Sequence, residues 1–99
     1  MEIEYKIGTL CVWWVPQVPM NAFEVIVDSV EFGVKLLDVL ADYDLFQYNN
    51  NIKPDYCNAG GLKVWVADSD GKGNPGWNDW HDEETDEEDP KVYLEEKNK

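Results

Sequence analysis

The sequence predicts an α+β fold in the order β-β-α-β-β: a four-stranded, mostly antiparallel sheet, one helix packed on one face, and an acidic C-terminal tail. Three observations lead there. Several short segments alternate apolar and polar residues with period two. One longer segment repeats its apolar residues at spacings of three and four. After residue 80 apolar side chains nearly vanish and acids take over.

The first strand spans residues 3–15. Ile3, Tyr5 and Ile7 alternate with Glu4 and Lys6, and Leu10-Cys11-Val12-Trp13-Trp14-Val15 continues as an apolar run, with Gly8 marking a bulge. Pro16 and Pro19 end it, because proline removes a donor and fixes φ. The second strand covers residues 22–27, with Phe23, Val25 and Val27 on one side and Glu24 and Ile26 on the other. Asp28-Ser29-Val30-Glu31 then reads as a capping box with Asp28 as the cap. The helix that follows runs from about Ser29 to Tyr43 or a little further. Its core stripe is Val30, Val34, Leu37, Leu40 or Ala41, and Leu45. Gly33 costs this helix about 1 kcal/mol relative to Ala and marks close packing on the sheet. Asn49-Asn50-Asn51 ends it, and residues 49–61 form a long loop. Residues 62–67 make the third strand, with Leu62, Val64 and Val66 on one face. Residues 68–76 are turn chemistry, and residues 77–80 return as the fourth strand of a hairpin. Residues 1–80 thus form a single domain, and residues 81–99 an acidic tail, disordered in part.

Composition narrows the function. The 99 residues carry 21 acids against 8 bases, every base is Lys, and the net charge is −13. That sign argues against direct nucleic-acid binding, which needs cations to neutralise phosphates. No apolar run approaches the ~18 residues of a membrane span. The acidic start, Met1-Glu2-Ile3-Glu4, lacks the basic region of a secretory signal. The expected location is therefore the host-cell cytoplasm, with Cys11 and Cys57 as free thiols. Two isolated cysteines and His81 do not have zinc-ligand spacing, and no cofactor is expected.

The strongest local signal is His81-Asp82-Glu83-Glu84-Thr85-Asp86-Glu87-Glu88-Asp89, with seven acids in nine residues. One reading is a solvated tail that aids solubility. The other is a docking surface, in which carboxylates imitate the roughly one charge per 1.7 Å of duplex DNA and occupy a basic groove. Asp68-Ser69-Asp70-Gly71-Lys72-Gly73 has some features of a calcium loop, but Lys72 occupies a ligand position and strands flank it, so a hairpin turn is favoured. The five tryptophans are either core or an aromatic patch on the second sheet face. Trp77 and Trp80, three apart on a strand, point to opposite sides. No nucleophile adjoins His81, and the glycine pairs lack the context of a phosphate loop, so no enzymatic activity is expected.

Residues 40–62 (LADYDLFQYNNNIKPDYCNAGGL), Val15-Pro16-Gln17-Val18-Pro19-Met20 and Gly76-Trp77-x-x-Trp80 together resemble small acidic proteins of phages, prophages and mobile elements of Gram-positive bacteria. Some of those carry a superinfection-exclusion label. The resemblance covers roughly residues 5–85, brings no catalytic motif, and implies a phage protein that acts on a host or competitor protein. Exclusion at the cell envelope needs membrane attachment, for which this chain shows no span.

The reading is thus a non-enzymatic phage or mobile-element binding protein. It modulates or inhibits a host or defence protein through an acidic, nucleic-acid-mimicking surface. The expected partner is a basic protein that handles nucleic acid or serves in defence, bound by a monomer or small homo-oligomer with no membrane contact. The candidate binding residues are Asp82, Glu83, Glu84, Asp86, Glu87, Glu88, Asp89, Trp77 and Trp80. Two alternatives stay open: a structural, homo-oligomerising protein, and a small-ligand site in the 49–61 loop around Tyr56 and Cys57.

Overall fold

A computed structural model describes residues 5–17, 20–52 and 58–97. Strands β1 (Leu10–Val15) and β2 (Phe23–Val27) precede helix α1 (Val30–Asn49), and strands β3 (Ala59–Val66) and β4 (Gly76–Asp79) precede helix α2 (Pro90–Lys97). All pairings are antiparallel and the sheet order is β2-β1-β3-β4. The α+β architecture and the helix after β2 agree with the sequence. Helix α2 is an addition: the composition of the tail signals no element there.

The register divides the sheet into two faces. Leu10, Val12 and Trp14 share one face with Phe23, Val25, Val27, Leu62 and Val64. Helix α1 covers this face, and Val12, Val27 and Leu62 form its fully buried centre. Gly33 lets the helix approach: a Cβ there would lie 3.1 Å from Leu62 Cδ1 and 3.6 Å from Val12 Cγ2. The other face carries no helix. On it Trp65 and Trp77 pair across β3 and β4, and Tyr5 closes the cluster with its ring 5.2 Å and 5.0 Å from theirs. An ion pair from Lys63 to Glu24 spans β1 from β3 to β2. Cys11 is buried on this face, and burial pushes its thiol above the ordinary value.

Several boundaries move for identifiable reasons. Residues 6–9 are a turn rather than strand: Thr9 N donates to Lys6 O at 3.0 Å and Gly8 has φ +94°. Residues 3 and 4 lie outside the described residues, as do Val18, Pro19 and residues 53–57. The cap of α1 is Ser29, not Asp28: Ser29 Oγ accepts from Phe32 N at 3.1 Å. The helix continues to Asn49, past Tyr43. Asn51, at φ 61°, then takes the left-handed position that asparagine tolerates. Leu45 is exposed, and Asp44 occupies the inward position instead, 3% exposed. Its carboxylate accepts from Trp14 Nε1 at 2.8 Å and Asn58 Nδ2 at 3.2 Å.

Gly60 and Gly61 belong to β3, not to the preceding loop. They stand opposite Trp14 and Trp13 respectively. A Cβ on Gly60 would overlap Trp14 Cε3, and one on Gly61 would lie 2.9 Å from Trp13 Nε1. Gly60→Ala is therefore expected to destabilise the fold by about 2 kcal/mol through overpacking, seen as a lower urea midpoint at unchanged slope. An unchanged midpoint would show that Trp14 can swing aside. Cys11, held as the protonated thiol, is expected to resist alkylation at pH 8 in a Cys57→Ser chain until urea unfolds it. Because its folded pKa is raised, the associated stability is complete below the unfolded value of 9.0 and falls as pH rises above it.

Candidate functional site

The sheet is incomplete along β3. Strand β4 pairs only with Lys63–Val66, so the first half of β3, paired with β1 on one side, has no strand on the other among the described residues. The last link is Trp80 N donating to Leu62 O at 3.1 Å. The chain then turns under α1, and Trp80 packs against the core. Helix α2 docks over it, with Tyr93 edge-on to Trp80 at 5.3 Å and Lys91 Nζ 3.8 Å from Asp38 on α1. Between α1, α2 and the open part of β3 lies a cleft of about 630 Å³. Its apolar walls are Trp13, Leu37 and Trp80, and its polar rim is Asp38, Asp79, His81, Glu88, Asp89 and Lys91.

The acidic segment is folded, and its end, Glu88 and Asp89, joins this rim. Asp82 N donates to Glu87 O and Asp86 N to Asp82 O, both at 2.8 Å. The Asp82 carboxylate accepts from Thr85 N and Thr85 Oγ1 at 3.0 and 2.7 Å. Glu87 accepts from Asp89 N at 3.1 Å. Asp89 in turn accepts from Lys91 N at 2.9 Å, which makes it the N-cap of α2, with Pro90 at the first helical position. The seven acids thus divide. Asp82, Glu87 and Asp89 hold the loop and cap, whereas Glu83, Glu84, Asp86 and Glu88 are exposed. Of the candidate residues, the cleft gathers Trp80, Glu88 and Asp89. Trp77 is not among them: it sits on the helix-free face, with Lys63 Nζ 4.9 Å from its ring centre.

No local pattern groups Asp38, Asp79 and Trp13; the tertiary packing brings them together as rim and wall. The Asp89-Pro90 pair was the one local signal for α2, as a cap residue followed by proline at the first turn. Asp68 and Asp70 serve their own turn. Asp68 accepts from Gly73 N at 2.9 Å, and Asp70 from Lys72 N and Asn74 Nδ2, both at 2.8 Å. The Asn74 side chain, then the Lys72 amide, hold the Asp70 carboxyl below its usual value. Tyr56 and Cys57, on which the small-ligand alternative rests, lie outside the described residues. Among the described residues no helix is long and apolar enough to cross a membrane.

Helix α2 has eight residues, too few to be stable alone. Its cap and the Trp80–Tyr93 contact therefore decide whether the rim forms. Asp89→Ala is expected to cost about 1 kcal/mol. Hydrogen exchange should show it as faster exchange confined to α2, with the sheet amides unchanged. Equal acceleration throughout would mean that α2 is part of the global folding unit.

Residues 9–99 match the family described as Superinfection exclusion gene product 17. A superinfection exclusion protein of Salmonella phage P22 is 52% identical, over 87% of this chain and 89% of its own length. No solved structure matches. The phage and superinfection-exclusion parts of the resemblance agree with these matches. Its restriction to Gram-positive hosts does not, since this relative comes from a Salmonella phage. With nearly its whole length matched, the chain belongs to the Superinfection exclusion gene product 17 family.

Proposed function

We propose that this chain acts in superinfection exclusion as a binding protein without a catalytic step, taking a basic segment of a protein partner into the acidic, aromatic-walled cleft. The observation that carries this reading is the folded acidic loop. Its backbone is closed on itself, which leaves Glu83, Glu84, Asp86 and Glu88 exposed, and Glu88 lines a cleft already rimmed by Asp38 and Asp79. A Lys or Arg side chain suits such a cleft: its methylene stem lies along Trp80 and Leu37, and its head meets carboxylates. A net charge of −13 steers a basic partner from a distance, and the indole walls anchor it on arrival.

The partner class that fits is a basic protein of the host, or of a defence or replication system, whose groove ordinarily holds phosphates. Such a groove accepts carboxylates held at a steady spacing, which a closed loop provides better than a free tail. Binding of this kind is reversible and stoichiometric, so exclusion should scale with the amount of this protein in the cell.

The test is an infection assay with host cells that express the chain and are challenged with a related phage. The variant Glu83→Lys, Glu84→Lys, Asp86→Lys, Glu88→Lys changes only outward carboxylates and is expected to keep its circular dichroism while protection falls at least tenfold. Trp77→Ala, on the other face, should protect as the natural chain does. Full protection by the charge-reversed chain would sink the docking of a basic partner at this loop.

A further inference from the structure

Helix α1 carries a second apolar stripe that the described residues leave exposed. Phe32, Val39, Tyr43 and Phe46 are each more than half exposed. At 3.6 residues per turn they fall within about 60° of one another on the helix surface. Tyr43 and Phe46 stack on each other, with centroids 6.5 Å apart and planes 11° from parallel. Helix α2 meets α1 on the opposite flank, through Lys91 and Asp38. The stripe therefore looks toward the β2 side of the sheet.

Strand β2 is an edge of that sheet. Its outer side has no strand beside it among the described residues. It exposes Phe23 at 57% and contains no Lys, Pro or bulge, and its one charge, Glu24, is paired with Lys63, so the devices that keep an edge from pairing are few.

Edge and stripe share one centre. Val27 packs against Gly33, while Phe23 pairs with Trp14, which bonds Asp44. Helix α1 thus runs antiparallel to β2, and Val25, the middle of the strand, lies abreast of residues 38–39. A two-fold axis through that point sets Phe23 opposite Val27 of a second copy and Phe32 opposite its Phe46, with Val39 near the axis. The same axis brings Lys35 alongside Asp42 of the second copy, twice, on the solvent side of the stripe. We propose that the chain forms this two-fold dimer, its β2 strands pairing antiparallel into one eight-stranded sheet and its α1 stripes closing over the joint.

Spacing and charge agree with a second copy as the occupant. With α1 seated over β1, the two helices stand about 14 Å apart, three strand spacings. That is wider than the 8–10 Å of ordinary helix packing, and large rings are needed to bridge it. Phe23, Phe32, Tyr43 and Phe46 together offer about 400 Å² of exposed ring surface per copy, half of a standard interface, before the β2 backbone is added. Repulsion between the two acidic loops is small in this arrangement. The acidic loops lie beyond β4 at the far edges, more than about 30 Å apart across four strands each, several times the ~8 Å screening length of physiological salt. The dimer would present two acidic clefts facing outward, one at each end of the sheet.

The test is size-exclusion chromatography with light scattering at about 100 μM in physiological salt. The natural chain is expected at twice its 11.4 kDa mass. Val39→Lys, which places two charges at the axis, should run as a monomer with unchanged circular dichroism. Should that variant misfold, Lys35→Asp, fully on the surface, is expected to raise the dimer Kd at least tenfold. Adding Asp42→Lys to it should restore the natural value. A natural chain that stays monomeric, a Val39→Lys chain that folds and still dimerises, or a charge swap that fails to restore association would each overturn the proposal.

Discussion

Two adjacent tryptophans in an interior strand set the terms for the rest of the molecule. Trp13 and Trp14 point to opposite faces of β1, and each needs room beside its neighbour in β3. Gly61 and Gly60 supply that room by having no side chain, so each ring lies across a glycine. Trp14 then carries an indole N–H into a buried position, where it must be satisfied. Asp44 satisfies it from α1, and the same carboxylate holds Asn58 at the entrance to β3. One hydrogen-bonded carboxylate thereby ties the far end of the helix to two strands. At the near end Gly33 brings the helix backbone down onto Val12, Val27 and Leu62.

The same constraint explains the cleft. Glycines at the start of β3 give a fourth strand little to pack against. β4 pairs only further along, and the chain leaves the sheet at Trp80. The space beside Gly60 and Gly61 is closed instead by Trp13 from one face and by Trp80 and α2 from the other. The acidic segment folds despite its like charges because its carboxylates have amide donors to accept. Asp82 takes Thr85, Glu87 takes Asp89, and Asp89 takes Lys91 at the start of a helix, where a negative charge is favoured by the exposed N–H groups. Exposed rings gather along α1 and at Phe23 on β2.

Much of this was legible in local pattern. Phe23, Val25 and Val27 alternate as a half-buried strand must; Val25 and Val27 reach the core, and Phe23, on the same face, stays exposed at the edge. The hairpin turn is written in Asp68-Ser69-Asp70-Gly71 and the helix stop in three asparagines. Period alone misled where a polar residue had a buried partner: Leu45 was the natural inward choice, yet Asp44 points in because Trp14 is there to meet it. Composition says little about the C-terminus. Seven acids in nine residues describe a solvated chain unless each carboxylate is checked against nearby amides, and Val92, Tyr93 and Leu94 look stranded until Trp80 is placed beneath them.

Local pattern and counting were enough for the class of fold, the strand–strand–helix–strand–strand order, the shared apolar face of Phe23, Val25 and Val27 and that of Leu62, Val64 and Val66, and the strongly acidic balance, because all of these follow from short-range periodicity and composition. Only the tertiary structure decided the strand order β2-β1-β3-β4, the pairing of tryptophans with glycines, the burial of Asp44 and the assembly of Asp38, Asp79, Trp80 and Glu88 around one cleft. Those depend on contacts between residues tens of positions apart. A local pattern carries no record of its distant partner, and what a carboxylate does depends on what stands within 3 Å of it.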